Sequence, residues 1–349
     1  MRWLVVHPGP QYSVHDVYVG WVEALRELGQ HVIPFNLDDR LALYTHALID
    51  IGDPGPHGEL KLRKALTNDQ AVELAVNGVY AALYKTRPDI LLVISGFLVP
   101  TDLMDLARRS GTRVVLACTE QPYELERELD LAAHVDLALV NDPMHMERFS
   151  EVAPTVYCPQ AYREGLHHSG EPDPELIVDL AFVGTGFPSR RWFFERMNLE
   201  GLDVLLAGNW NGVTEDSPLR KYLASGDPQI CCDNADTARI YQSAKVGMNL
   251  YRREAEDDQV VGGWAVGPRE LEMAACGMFF LRDPRPEGDS LFHMLPVFSS
   301  PEEASWLLRY WLDHPEERHK AAQQACEAIQ DRTFTQNARS LLRLLEKKE

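Results

Sequence analysis

One segment combines glycines, a helix start and two arginines in a way that suits the binding of phosphate. The run Asp179–Arg191, DLAFVGTGFPSRR, leads an apolar strand into what we name the glycine turn, Gly184-Thr185-Gly186. Glycine lets backbone N–H groups approach an anion, and the start of a helix adds unpaired N–H groups at its positive end. Arginine side chains add donors shaped for phosphate. The candidate donor-binding residues here are Gly184, Gly186, Ser189, Arg190 and Arg191.

The same segment allows two other interpretations. It resembles the dinucleotide motif G-x-G-x-x-G, with Ser189 in place of the third glycine. However, the motif lies in the middle of the chain, and no acidic residue ends the next strand, Leu205–Gly208. The glycines also fit an ordinary turn from strand to helix, with both arginines solvated.

A second segment, Gly262–Gly277, starts a helix after a glycine and carries an acidic residue one turn inside. Proline is common at the first helical position. A carboxylate near that end can accept two hydroxyl groups, as from a ribose, and free N–H groups there can hold phosphate or sugar oxygens. An ordinary amphipathic helix, with Glu270 facing water, shows the same pattern. The candidate donor-binding residues are Gly267, Pro268, Arg269 and Glu272.

A histidine and a glutamate are candidates for catalysis. His15 is predicted in the loop between the first strand and its helix, where it is either a general base on an acceptor hydroxyl or a hydrogen-bonding contact. Glu120 follows the strand Arg113–Thr119 and is placed to orient such a histidine. A surface histidine beside a helix cap is the alternative.

The pattern of acidic residues and histidines does not favour a metal site. The pairs Asp38-Asp39 and Asp257-Asp258 are adjacent rather than spaced to converge on one ion. His167-His168 lies in a polar stretch and is expected to be solvated. We therefore expect neither a metal nor a bound cofactor.

Short β-branched runs alternate with helical patterns along the chain, which is typical of parallel strands in an α/β sheet. The first helix is predicted over Asp16–Leu28, and Ser300–Glu303 forms a capping box in which Glu303 reaches back. Ile49–Leu66 is predicted as a surface loop that enters a helix. The predicted strands are Trp3–Val6, His31–Phe35, Ile90–Ser95, Arg113–Thr119, Leu137–Asn141, Thr155–Pro159, Asp179–Gly184, Asp203–Gly208, Val246–Leu250, Met278–Arg282 and Pro296–Ser299.

The polar stretch Arg163–Glu175 separates two sets of strands and predicts a domain boundary. Each half holds about five or six strands, as expected for a doubly wound unit. We expect an N-terminal Rossmann-like domain over residues 1–165 and a second over 176–331. A final helix over 332–349 is expected to pack back on the first domain. The site is expected in the cleft between the two, at the carboxyl ends of the strands.

Charge and composition exclude several classes of protein. The 349 residues include 34 Lys and Arg against 53 Asp and Glu, a net charge of −19. An acidic surface repels nucleic-acid phosphates and anionic lipids. Apolar runs such as Ile90–Ile94 are too short to span a bilayer. The six cysteines form no C-x-x-C pair and lie in apolar runs, which favours a reduced, cytoplasmic protein.

A series of motifs in the second half resembles the CgeB-like, spore-maturation-type glycosyltransferases of the GT-B superfamily. The series comprises Asp179–Arg191, Tyr241–Leu250 (YQSAKVGMNL), Gly267–Gly277 (GPRELEMAACG), Phe279–Asp283 (FFLRD), Phe298–Glu303, Tyr310–Arg318 (YWLDHPEER) and Arg332–Thr335. The first half resembles the family only in its opening strand, helix and second strand.

The resemblance implies two facing Rossmann-like domains around a central cleft, with a nucleotide-sugar donor held mainly by the second. Glu272 would match the ribose-binding glutamate, and Arg190 or Arg191 the basic residue of the diphosphate loop. Related retaining enzymes carry a second glutamate eight positions earlier, where this sequence has Trp264. The acidic residues near that position are Glu254, Glu256, Asp257 and Asp258.

The sequence thus predicts a metal-independent, retaining enzyme that moves a sugar from a nucleotide-diphosphate donor, such as a UDP-sugar, to an acceptor hydroxyl. The acceptor is open, with a protein, glycan or small molecule favoured over nucleic acid. Three alternatives remain: an NAD-dependent oxidoreductase, a non-catalytic nucleotide-sugar-binding or coat-type protein, and a glycosyltransferase acting on phage-type DNA.

Overall fold

The chain forms two compact units, each built around a parallel sheet. The first unit contains Met1–Cys158 and Ala338–Glu349, and the second contains Pro159–Asn337. The predicted α/β class, with two parallel-sheet units, is confirmed. The computed structural model describes residues 1–7, 9, 14–46, 48–50, 62–224, 234–254 and 262–346.

Six of the strands in the first unit form a parallel sheet. The strands are β1 (Arg2–Val6), β2 (His31–Phe35), β3 (Leu48–Asp50), β4 (Leu62–Lys64), β5 (Ile90–Ile94), β6 (Arg113–Ala117), β7 (Leu137–Val140) and β8 (Thr155–Tyr157). The helices are α1 (His15–Glu27), α2 (Leu37–Thr45), α3 (Asn68–Thr86), α4 (Thr101–Arg109), α5 (Leu125–Ala132) and α6 (Met146–Val152). The sheet order is β2-β1-β5-β6-β7-β8. All five residues of β5 are buried, as expected for a strand covered on both faces.

The sheet of the second unit has four parallel strands. They are β9 (Leu180–Val183), β10 (Val204–Ala207), β11 (Gly247–Asn249) and β12 (Phe280–Arg282), in the order β10-β9-β11-β12. The helices that follow α6 are α7 (Pro188–Arg196), α8 (Asn234–Ser243), α9 (Pro268–Ala275), α10 (Pro286–Leu291), α11 (Pro301–Asp313), α12 (Pro315–Ala328) and α13 (Phe334–Glu346).

The strand order reverses once in each unit. After β1 the chain adds β2 on one side and later adds β5 on the other. In the second unit β10 and β11 likewise flank β9. Loops that leave neighbouring strands at such a reversal are where open α/β sheets bind ligands. The loops after β1, β9 and β11 are therefore the ones that position a site.

Two predictions of secondary structure differ from the structure. Ile49–Leu66 was expected as a loop, but β3 and β4 pair there in antiparallel fashion, and residues 51–61 lie outside the described part of the chain. Pro296–Ser299 was expected as a strand and contributes an isolated parallel bridge between Val297 and Arg282. Among the described residues, no helix is both long and apolar enough to cross a membrane.

Candidate functional site

The glycine turn leaves β9 and packs tightly against the loop after β10. The N–H of Gly184 donates to the carbonyl of Ala207 at 2.9 Å, and that of Gly186 to the carbonyl of Asn209 at 2.7 Å. A Cβ on Gly186 would lie 2.5 Å from the Trp210 ring, and one on Gly208 would lie 2.6 Å from the Gly184 carbonyl oxygen. These glycines therefore allow close packing, and their two N–H groups already have partners.

Both arginines at the start of α7 hold backbone carbonyls. Arg190 donates through Nε to the carbonyl of Leu250 at 2.8 Å and through Nη1 to that of Thr185 at 3.0 Å. Arg191 donates to the carbonyls of Gly186 and Asn211. The interpretation of both as solvated side chains is wrong. They tie the glycine turn to the loops after β10 and β11 and keep two positive charges beside it.

The N-terminus of α7 already holds an anion, which the chain itself supplies. Ser189 donates to Glu254 twice, from its backbone N–H at 2.7 Å and from its hydroxyl at 3.0 Å. Burial alone would raise the pKa of Glu254, but these hydrogen bonds hold it below its usual value. A carboxylate thus occupies the donors that the sequence assigned to a phosphate.

The N-terminus of α9 is likewise capped by a side chain from the same helix. Glu270 is fully buried and accepts from the N–H of Gly267 at 2.9 Å and from the hydroxyl of Tyr251. The expectation that Glu270 faces water is wrong, because it occupies the third helical position and reaches back to cap the helix. Burial raises its pKa to about 7.

Glu272 lies on α9 with its carboxylate buried. Its Oε2 atom is 3.7 Å from Nη1 of Arg269, an ion pair between neighbouring turns of the helix. Among the described residues, no donor makes a hydrogen bond to this Oε2 atom. A ring nitrogen of His167 lies within 4.8 Å of a carboxylate oxygen of Glu272. His167 is 2% exposed, so the prediction that it is solvated is wrong.

The loop after β11 joins the two candidate segments of the second unit. Leu250 accepts from Arg190, Tyr251 bonds to Gly267 and Glu270, and Glu254 accepts from Ser189. The strand order explains this meeting, because β11 lies directly beside β9 in the sheet. The sequence placed the two segments in one donor site, and the structure joins them through this loop.

His15 is the first residue of α1, one position inside the helix rather than in the preceding loop as predicted. Its Nδ1 atom lies 3.1 Å from Nε2 of His7, a fully buried residue at the end of β1. Tyr18 packs edge-on against the His7 ring at 4.9 Å. Sequence reasoning missed His7, although a polar residue that ends a buried strand is a usable signal.

Glu120 follows β6 and is held by a buried acid. Glu128 accepts from the N–H groups of Thr119 and Glu120 at 2.7 and 3.0 Å, and from the side chain of Gln121 at 2.9 Å. Burial raises the pKa of Glu128 to about 7. The sequence analysis missed Glu128, which fixes the backbone that carries Glu120.

The comparisons with known proteins agree with this architecture. A family model described as glycosyl transferase-like matches residues 190–343, most of the second unit. No curated protein matches the sequence.

Solved structures with the same fold cover 99% of this chain. Sucrose-phosphate synthase from Thermosynechococcus elongatus is 15% identical, with a TM-score of 0.63 and 98% of its own chain covered. A Listeria monocytogenes protein named for UDP-N-acetylglucosamine 2-epimerase activity is 13% identical, with a TM-score of 0.64 and 96% covered. HepE from Anabaena, in complex with UDP-glucose, is 10% identical, with a TM-score of 0.60 and 100% covered. These likenesses show a fold of two parallel-sheet units shared with those proteins, and the family match shows that most of the second unit is similar to a glycosyl transferase-like domain.

Proposed function

We propose that this protein is a glycosyltransferase of the GT-B type, which takes its sugar from a UDP-sugar and transfers it to an acceptor hydroxyl. The observation that carries the proposal is the buried carboxylate of Glu272, whose Oε2 atom receives no hydrogen bond from the described residues. A buried acceptor without a donor is costly. The two adjacent hydroxyls of a ribose supply the missing donors, and the structural neighbour HepE binds UDP-glucose.

The diphosphate would lie near the start of α7, where the N–H and hydroxyl of Ser189 now bind Glu254. A phosphate oxygen can accept from the same donors once the carboxylate moves aside. Arg190 and Arg191 stay bound to backbone carbonyls and contribute positive charge beside Gly184 and Gly186.

The start of α9 is proposed as the second wall of the donor site. Gly267 and Pro268 shape it, and Arg269 lies beside the ribose-binding carboxylate of Glu272. In glycosyl transfer the negative charge builds up on the departing diphosphate. Fixed arginines and helix N-termini can stabilise that charge, so we propose transfer without a metal or bound cofactor.

Finer assignments rest on the motif series rather than on the fold. We propose the CgeB-like subtype and retention of configuration on that basis. Residues 1–165 are proposed as the acceptor-side domain, 176–331 as the donor domain and 332–349 as a helix that packs on the former. The acceptor is proposed to be a protein, glycan or small molecule in the cytoplasm, since the net charge of −19 disfavours nucleic acid.

Calorimetry with UDP and a panel of nucleotide sugars tests the proposal. The intact protein should bind UDP, and Glu272→Gln should bind it about tenfold more weakly, because an amide accepts fewer ribose hydrogen bonds. Glu302→Gln, an exposed acid on α11, is the matched control and should bind as the parent does. Equal affinity of parent and Glu272→Gln would refute the ribose contact.

A coupled assay for UDP release then separates transfer from other reactions. Release that depends on an added acceptor supports transfer, whereas interconversion of the sugar without release points to an epimerase. Enhanced fluorescence of bound NADH, with no binding of UDP, would favour the dinucleotide alternative.

A further inference from the structure

Three groups at the end of β1 form a directed chain of hydrogen bonds. The backbone nitrogen of Gly9 lies 3.2 Å from Nδ1 of His7, and a backbone N–H can only donate. Nδ1 of His7 is therefore the acceptor in this bond, and the hydrogen of its neutral ring sits on Nε2. Burial, with the nearby His15 adding to it, lowers the pKa of His7 to about 4, so the ring is neutral near pH 7.

The tautomer of His7 in turn fixes the donor and acceptor roles in its hydrogen bond to His15. Nε2 of His7 carries a hydrogen and lies 3.1 Å from Nδ1 of His15, which must accept it. The hydrogen of a neutral His15 ring is then on Nε2, the opposite edge. A doubly protonated His15 would point its Nδ1–H at the Nε2–H of His7. The Tyr18 ring packs against both imidazoles. The charge of Asp39 and a backbone hydrogen bond with Gly9 raise the pKa of His7, but burial and His15 outweigh them.

We infer that His15 presents a fixed N–H donor to an oxygen of the bound substrate and is not the general base, and that His7 is the positioning residue that sets this state. His15 is half-buried and is the first residue of α1, the helix that follows β1 at the reversal of the strand order, where a ligand is expected. A general base would need a lone pair on Nε2. The identity of the substrate rests on the proposed function, whereas the state of the two rings does not.

Nitrogen-15 NMR of the unliganded protein tests the ring states directly. Long-range correlations should show both His7 and His15 with hydrogen on Nε2 and a lone pair on Nδ1. Hydrogen on Nδ1 of His15 would overturn the inference. This measurement needs no substrate, so it stands even if UDP fails to bind.

Two variants of the same shape test the consequence for transfer. His7→Gln offers an amide N–H to Nδ1 of His15 and should keep its tautomer. His7→Glu, assayed at about pH 8 where a glutamate is ionised, can only accept and should invert the tautomer. The donor role predicts transfer about tenfold or more slower for His7→Glu than for His7→Gln, seen mainly in kcat. If His15 is the general base, transfer should instead be faster for His7→Glu than for His7→Gln. A carboxylate that accepts from Nδ1–H of His15 leaves the lone pair of the ring on Nε2, where a base needs it.

Matched controls separate the effect of His7 on the ring state of His15 from a general effect of the substitution on folding. His319→Gln, on the exposed face of α12, should change neither rate nor ring states. If thermal denaturation shows that His7→Glu does not fold, the tautomers of the parent and of His7→Gln decide the question. Equal or faster transfer by folded His7→Glu would overturn the donor role.

Discussion

Glu254 and Ser189 lie 65 positions apart, yet both carboxylate oxygens of Glu254 accept from Ser189, one from its N–H and one from its hydroxyl. The contact places an anion at the positive end of α7. The second unit therefore has an anion site that its own acid occupies. Any phosphate that uses these donors must compete with that carboxylate.

Replacing Glu254 by Gln should strengthen UDP binding by about three- to tenfold. An amide is a weaker and uncharged competitor for the two Ser189 donors. The negative charge of Glu254, which opposes the binding of a diphosphate, is also removed. Calorimetry measures the change. Glu215→Gln, an exposed acid in the loop after β10, is the control and should leave the affinity as it is. Weaker binding by Glu254→Gln would mean that the acid helps to hold the donor.

Gly208→Ala should destabilise the fold by about 1–3 kcal/mol, because overpacking and a disfavoured backbone angle act together. Gly208 has a φ of +105°, and an added Cβ would meet the Gly184 backbone, which has no side chain to move aside. Urea unfolding measures the loss. Gly165→Ala, where nothing lies within 4 Å of the added Cβ, is the matched control. Similar unfolding midpoints for the two variants would contradict the packing role.

Arg190→Ala should lower UDP affinity about tenfold or more. The change removes a positive charge and the bonds that hold Leu250 and Thr185 in place. Arg190→Lys should restore little of the UDP affinity, since a lysine lacks the planar, forked guanidinium group that reaches both carbonyls. Arg196→Ala, on the exposed last turn of α7, is the control. Full affinity in Arg190→Ala would remove this residue from the donor site.

The contribution of Glu270 to the stability of the protein should fall as pH rises from about 4.5 to 7. The folded state raises the pKa of Glu270 to about 7 from a reference of 4.5, so it binds this proton more tightly than the unfolded chain does. The contribution is complete below pH 4.5 and is lost as pH passes 7. Each tenfold difference in proton affinity between the folded and the unfolded state changes the free energy of unfolding by about 1.4 kcal/mol.

Unfolding curves at a series of pH values measure this effect. Glu270→Gln should remove this contribution, so its free energy of unfolding relative to the parent should rise with pH over that range, whereas Glu302→Gln, an exposed acid, should show no such change. Glu128 titrates in the same direction and His7 in the opposite one, so Glu270→Gln should keep a pH dependence of its own. An unchanged slope in Glu270→Gln would show that Glu270 is ionised in the folded protein.

The sequence predicted those features that depend on local patterns. The alternation of apolar runs located the strands of both sheets, and the glycine–arginine segment marked the turn after β9. The capping box at Ser300 was also predictable, although Glu303 reaches Ser299 rather than Ser300. The equivalent cap by Glu270 was missed, because Gly267 has no side chain to mark the start of the helix.

The missing features depend on the order of strands, which local patterns do not encode. Nothing near Ser189 indicates that Glu254 is its neighbour, since the contact exists only once β11 lies beside β9. The pairing of His7 with His15 likewise follows from how the chain turns between β1 and α1. Physical reasoning from sequence therefore found the segments of the site but not their partners.

The placement of β11 has a consequence for synthesis of the protein on the ribosome. Ser189 emerges well before Glu254, which follows 65 residues later, so the start of α7 must wait for its capping acid. A nascent chain that stops short of β11 exposes those donors to any cellular anion. Native contacts this distant in sequence form slowly. The last step in shaping the anion site is therefore expected to follow translation of the loop after β11.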